Sequence, residues 1–356
     1  MPKYTPAQLE QLAFDVLHAA GATHREAQLV GHHLVEANLA GHDSHGMMRV
    51  PQYVDAIAQG EIECDREVQV VQETPSLVVL EARRMFGQVA CEDATALAME
   101  RAQVGGIGAV TIRGANHTGR LGAYVTTCAG QQMMGLVMDS PAGDGQWVAP
   151  FGGVARRLGT HPLAIGAPSG QDFPLVVDIS TSVVPEGKVR HYLQSGDNVP
   201  PGWLIDGEGN PSCDPSILYA DVPGAILPLG GLAGHKGFGL SVMIDVLAGA
   251  LSGAGCTRAG VTSENWTGHG LLIVAIDIRQ FISVDRFLEH VAQMVDHIKS
   301  SPPAPGFKEI LVPGEYEHRH HLTRSRDGIA IPDTTWRAIS SAAERLGVNR
   351  SMEQLA

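Results

Sequence analysis

Gly234-His235-Lys236-Gly237-Phe238-Gly239 is the nearest this chain comes to a nucleotide-binding glycine loop, and its spacing is wrong. A dinucleotide fingerprint needs G-x-G-x-x-G after a strand, and a P-loop needs G-x-x-x-x-G-K-[ST]. Neither occurs, and the other glycine run, Val104-Gly105-Gly106-Ile107-Gly108, fails in the same way. A conventional Rossmann or P-loop domain is therefore disfavoured. The stretch can still hold a phosphate. Glycines bare their N–H groups at a helix start, the helix dipole favours an anion there, and Lys236 adds a full charge. A glycine-rich helix start with an ordinary surface lysine accounts for the same residues.

Outward from that stretch the pattern is α/β. The glycines open an apolar helix over Gly234–Gly253, and Leu271–Ile276 reads as a strand. Further strands are expected at Val68–Val71, Leu77–Leu80, Gly108–Ile112, Gly135–Met138, Leu163–Ala167 and Leu175–Asp178, from β-branched content and length. Helices are expected over Cys91–Gln103, through Cys128 after the break at Gly114–Gly122, over Val284–Ile298 and over Thr334–Leu346. Gln194–Pro215, rich in Pro, Gly and Asp, reads as a loop. The chain opens differently, with helices alone. Thr5-Pro6-Ala7-Gln8 and Thr23-x-x-Glu26 are helix-start signatures, the two helices stop at Gly21 and Gly41, and a third runs from about Pro51 to Gly60. The last helix should pack back on these, because neither group can bury its apolar stripe alone.

The chain has 356 residues, 44% of them hydrophobic and 18% charged, which suits a deep core and a buried subunit interface. A net charge of −13 with no basic cluster argues against nucleic acid and anionic membranes as partners. The five cysteines are scattered without a C-x-x-C, so neither disulfides nor structural zinc are expected. With no apolar leader in Met1–Pro6, a cytoplasmic setting is expected.

Chemistry concentrates between the second and third helices, in Asp43-Ser44-His45-Gly46-Met47-Met48-Arg49-Val50-Pro51-Gln52-Tyr53. A histidine beside a serine suits proton transfer near neutral pH, and an arginine one turn later can grip a carboxylate with two parallel bonds. The alternative for Arg49 is a surface ion pair with Asp43 or Asp55. His117 could equally be a turn histidine. His318, His320 and His321 resemble a metal cluster, but Arg319 interrupts them and no cysteine is near. A solvated loop is the expectation there, with no metal.

Taken in order, the motifs resemble the malate/L-lactate dehydrogenase family that lacks a Rossmann fold. They are Ser44-His45-Gly46 with Arg49, Pro51 and Tyr53; Asn116-His117 with Gly119; Pro150-Phe151-Gly152-Gly153; and Leu158-Gly159-Thr160 with Pro162. The match continues through Asp178-Ile179-Ser180-Thr181-Ser182, Gly187-Lys188, Pro201-Gly202-Trp203, Gly234–Leu240 and Val312-Pro313-Gly314-Glu315, over nearly the whole chain. The relatives implied include sulfolactate and ureidoglycolate dehydrogenases, diketogulonate reductase and piperideine-2-carboxylate reductase. The resemblance implies a large mixed sheet with flanking helices, a homodimer, and hydride transfer between NAD or NADP and a small 2-oxo or 2-hydroxy acid. It implies a helical substrate and dimerisation domain from 1–75 with 300–356, and an α/β cofactor domain at 76–299.

The resemblance makes His45 the proton donor and acceptor, with Ser44 beside it and Arg49 on the substrate carboxylate; in some members the base corresponds to His117. Cofactor contacts are implied at His117, Thr118, Gly119, Arg120, Leu121, Ser140, Asp178, Ile179, Ser180, His235, Lys236, Pro313, Gly314 and Glu315. Thr118 stands where the family often has an aromatic residue, and His161 where it has Asn in Gly-Thr-Asn-Pro. A reductase of cyclic imine acids or diketo sugar acids is the second enzymatic reading. A non-catalytic binder of small acids is the reading from another class, and intact Ser44, His45 and Lys236 speak against it.

Overall fold

The computed structural model describes residues 2–262 and 265–348. After a two-residue strand β1 (Lys3–Tyr4), Thr5 and Thr23 each close a capping box, with Gln8 and Glu26, and start α1 (Pro6–Ala19) and α2 (His24–Leu39). Their apolar stripes meet: Leu9, Leu12, Val16 and Leu17 pack with Val30 and Leu34 in the main core. Two single 3-10 turns, Asp43–His45 and Met47–Arg49, lead into α3 (Val50–Ala58).

The chain then builds β2 (Gln69–Glu73), β3 (Leu77–Glu81), α4 (Gly87–Gly105), β4 (Ile107–Ala115), α5 (Gly122–Gly130), β5 (Met133–Ser140), β6 (Leu163–Ala167) and β7 (Leu175–Ile179). Next come α6 (Glu186–Ser195), short strands β8 (Leu204–Ile205), β9 (Pro211–Ser212) and β10 (Ala225–Ile226), and α7 (Gly234–Ile244). The chain closes with β11 (His269–Asp277), α8 (Val284–Lys299), α9 (Glu315–Asp327), β12 (Ile329–Ala330) and α10 (Asp333–Arg345).

Seven strands form one mixed sheet in the order β2-β3-β4-β11-β5-β6-β7, in which β3 and β4 alone are parallel. The late strand β11 slots between β4 and β5 and buries Leu271, Ile273 and Ala275 completely. This pairing places the last residues of β3, β4, β5 and β7 and the first residues of β6 and β11 along one edge of the sheet. Ser140 ends β5 and Asp178 is the last residue but one of β7, while the loop after β4 carries His117 and the loop before β6 carries Thr160 and His161.

The two ends of the chain meet. β1 pairs with β12, Tyr4 stacks on Trp336 at 4.4 Å, and α10 packs on α3. Three expectations need correction. Gln194–Pro215 is not all loop: β8 and β9 lie in it and form a small antiparallel sheet with β10. The apolar helix from Gly234 is interrupted, since after Ile244 it widens into a π-helix over Asp245–Ala250. His318, His320 and His321 lie on α9, not in a loop. Among the described residues no group of three or more His, Cys, Asp or Glu could hold a metal ion.

Candidate functional site

The acid–base turn is built by its neighbours. Ser44 Oγ lies 3.0 Å from His45 Nδ1, and the Arg49 Nε donates to the Ser44 carbonyl at 2.7 Å. The loop after β4 brings His117 to it, so that the two imidazoles stack with centroids 5.6 Å apart and planes 12° off parallel. Gly87, which opens α4, lies so close to the Asn116 and His117 carbonyls that a Cβ there would overlap them. Residues 45 and 117 are 72 apart in sequence, so only the sheet edge and the α2–α3 connection could unite them.

Behind the pair sit two groups, one of which sequence reasoning passed over. Gln88 Nε2 donates to the Tyr53 hydroxyl at 2.6 Å, and that hydroxyl lies 2.7 Å from His117 Nδ1. Burial pushes the Tyr53 phenol up to about 12, so it keeps its proton and can give it to Nδ1 as a hydrogen bond. His117 Nε2 then carries the ring N–H and faces away from Tyr53. Tyr53 was visible as part of the motif. Gln88 gave no signal, because a glutamine in a helix reads as surface, yet it is fully buried.

Both imidazoles are held neutral. Burial first, then the Arg49 guanidinium, pushes His45 down to about 3. Burial, then Arg49 and His45, holds His117 well below the usual histidine range. Arg49 itself pairs with no carboxylate among the described residues. Its other bond goes to the Gln52 amide at 2.6 Å, while Asp43 is taken by Arg324 and Asp55 by Arg345. The ion pair that would have made Arg49 an ordinary surface residue is therefore not formed. A half-buried, oriented guanidinium beside two neutral imidazoles suits a small carboxylate whose neighbouring oxygen gains or loses a proton.

Along the same edge, the Thr118 hydroxyl donates to Asp139 at 2.6 Å, and His269 Nδ1 lies 2.7 Å from the other oxygen of that carboxylate. Burial alone would lower His269, but Asp139 raises it overall. Gly119 lies against the ring of His33, which accepts the Arg120 N–H at 3.0 Å. His33 was missed because it sits within an ordinary helical pattern; burial, then Arg120, lowers it to about 3. Leu121 is buried, and the Gly122 N–H at the start of α5 donates to Asp178 at 2.7 Å. The buried Arg120 Nε is 3.7 Å from Asp178 and has no hydrogen-bond partner among the described residues. Ile179 is partly exposed at the end of β7, and the Ser180 hydroxyl turns to Ser182 at 3.1 Å.

Not every candidate is free to meet a ligand with its side chain. Ser140 gives its hydroxyl to Asp245 at 2.6 Å. Glu315 is buried, with one oxygen on Lys299 and the other on Arg319, each at 2.6 Å. Pro313 lies beside β7, its carbonyl accepting the Val176 N–H at 3.3 Å, and Gly314 turns there with φ +89°. His235 packs edge-on against Phe151, 5.6 Å between centroids. Lys236 is exposed in the first turn of α7 and has no ion-pair partner among the described residues. An ammonium at a glycine-rich helix start suits a phosphate, and the buried guanidinium of Arg120 beside Asp178 is a second positive group.

A family model described as malate/L-lactate dehydrogenase matches residues 4–340. The chain is 38% identical over 338 residues to a malate dehydrogenase of Pyrococcus horikoshii, covering 94% of this chain and 92% of the relative. Its fold is similar to a putative malate/lactate dehydrogenase from E. coli, with TM-score 0.91 and 34% identity over 100% and 98% of the two chains. It is also similar to the sulfolactate dehydrogenase structure from Methanocaldococcus jannaschii, with TM-score 0.86 and 33% identity over 98% of each.

Proposed function

We infer the function from one premise: the chain belongs to the malate/L-lactate dehydrogenase family. It is an oxidoreductase acting on 2-hydroxy acids, and it uses a nicotinamide cofactor. The observation that carries the assignment of roles is the stacked pair His45 and His117 beside an Arg49 that pairs with no carboxylate among the described residues.

Arg49 holds the substrate carboxylate, and His45 exchanges the proton of the 2-hydroxyl, with Ser44 orienting its ring through Nδ1. Bound, the nicotinamide supplies or accepts the hydride. Burial and Arg49 hold His45 neutral, the form needed to take a proton from a hydroxy acid. In the reverse direction it must first be charged. A substrate carboxylate on Arg49 offsets the positive field that helps depress His45, so the anion raises the affinity of His45 for the proton it must donate. His117, fixed by Tyr53, packs against the acid and closes the site on one side.

For the cofactor, His117–Leu121, Ser140, Asp178–Ser180, His235–Lys236 and Pro313–Glu315 are proposed as its surroundings. Asp178 meets a ribose hydroxyl and Lys236 a phosphate, while Ser140 and Glu315 act by bracing. The residues are proposed to divide into a helical substrate part, 1–75 with 300–356, and a cofactor part, 76–299. A homodimer is proposed, supported by the partly exposed apolar stripe Val242, Met243, Val246 and Leu251 along α7 and the π-helix. A cytoplasmic location is proposed from the scattered free cysteines; no described helix is long and apolar enough to cross a membrane.

The test is a turnover panel of 2-hydroxy acids, 2-oxo acids and cyclic imine acids with each nicotinamide cofactor, read at the reduced-nicotinamide absorbance. Turnover of 2-hydroxy and 2-oxo acids is expected. Turnover of imines alone would replace the substrate class.

A further inference from the structure

The turn that carries Ser44 and His45 is enclosed by a polar cluster that none of the proposed chemistry uses. Asn38, on α2 and 3% exposed, donates from Nδ2 to Asp43 at 2.5 Å and accepts the Met47 N–H on Oδ1 at 2.8 Å. It thus grips both ends of the turn. Gly46 completes the fit, since a Cβ there would overlap the Asn38 amide. From the other side Arg324 of α9 places two nitrogens on the Asp43 carboxylate, at 2.6 and 3.1 Å, and donates to the Asn38 carbonyl as well. Residues 43 and 324 are 281 positions apart.

We propose that Arg324 is a positioning residue for the reaction: by fixing Asp43 from α9 it sets the place of the Ser44–His45 turn and of the Arg49 guanidinium that hangs from the Ser44 carbonyl. The proposal rests on the roles given above to His45 and Arg49. Its physical basis is the planar fork of the guanidinium. The fork satisfies both carboxylate oxygens and a backbone carbonyl in one geometry, so it fixes orientation as well as charge. The Asp43 side chain is 53% exposed, and an ion pair so wetted adds little to global stability. What it can add is placement, and a displacement of about 1 Å at a reacting group can cost on the order of 10²-fold in rate. The two effects of removing the fork therefore separate.

The experiment compares the full-length parent with Arg324→Ala, Arg324→Lys and Asp43→Asn. For Arg324→Ala, kcat should fall roughly 10- to 100-fold, with the cofactor dissociation constant and the melting temperature close to the parent's. Added guanidinium ion should restore part of kcat, and Arg324→Lys should lie between. Combining Arg324→Ala with Asp43→Asn should cost little more than either alone. A kcat within twofold of the parent, or a loss that is equal in cofactor binding and melting temperature and indifferent to guanidinium, overturns the proposal. Amide hydrogen exchange at Gly46 and Met47 needs no turnover. Faster exchange in Arg324→Ala supports the clamp even if no 2-oxo acid is a substrate, and unchanged exchange rejects it. That readout also serves if Arg324→Ala is too unstable for kinetics, because Asp43→Asn can be measured in its place.

Discussion

The acid–base turn and the glycine-rich start of α7 are the two most chemically suggestive stretches of this chain, and they are built in opposite ways. Around Asp43–Arg49 the polar groups are placed by protein partners: Asn38 and Arg324 on Asp43, Ser44 on His45, Gln88 through Tyr53 on His117. Around Gly234–Gly239 the exposed Lys236 has no ion-pair partner among the described residues, and Leu232 just before the helix is fully exposed. A group that must move a proton needs its geometry set beforehand, because misplacement is paid for in rate. A group that offers charge to a phosphate can be left for the ligand to organise.

The largest effect that could break this contrast is at His45. His45→Ala should lower kcat by roughly 10²–10⁴-fold, as expected for loss of a positioned proton donor, while cofactor affinity stays near the parent's. A folded His45→Ala protein of near-normal turnover, with His117→Ala inactive, would transfer the role to His117.

The built side should also show itself in stability. His33 and His45 are both depressed to about 3 in the folded protein, against about 6.5 when unfolded. Between those values the unfolded chain binds the protons and the native one does not, so stability is lost as pH falls from about 6.5 towards 3. Each such histidine contributes a slope of up to about 1.4 kcal/mol per pH unit. Urea midpoints from pH 7 to 4 should fall more steeply for the parent than for His45→Gln; parallel curves would mean that His45 takes up a proton freely in the native state.

Arg49→Lys keeps the charge and loses the fork, so KM for 2-oxo acids should rise about tenfold with a smaller change in cofactor affinity. An unchanged KM across the panel would take Arg49 out of the substrate site. The smallest effect belongs to the open region. Lys236→Ala removes one solvated charge, worth about 1 kcal/mol at contact distance in water, so cofactor affinity should weaken only severalfold and depend less on salt. A nicotinamide-fluorescence titration across ionic strengths measures both. If affinity and salt slope match the parent's, the contrast between the two regions loses one of its sides.

Much of this molecule could be read from the chain. Thr5 and Thr23 announce their helices through side-chain bonds to residues three positions on, and the central strands declare themselves by β-branched content. Such signals are local, as is the wrong glycine spacing that removed the Rossmann fold. Ser44, His45 and Arg49 were legible as a group because two consecutive turns hold them all. α9 was not, since its sequence is polar nearly all round and offers no apolar stripe; the acids in its first turn and arginines in its last were the only trace.

What only the tertiary structure decided are the meetings of distant residues. The sheet order put β11 between β4 and β5, and so lined up His117, Ser140 and Asp178 along one edge. Tertiary packing also set His117 against His45, buried Gln88 behind Tyr53 and gave Asp43 to Arg324, so that among the described residues no carboxylate pairs with Arg49. Periodicity and caps depend on neighbours within a turn or two. Which carboxylate a given arginine finds depends on how elements hundreds of residues apart bury their faces together, and no short-range pattern encodes that.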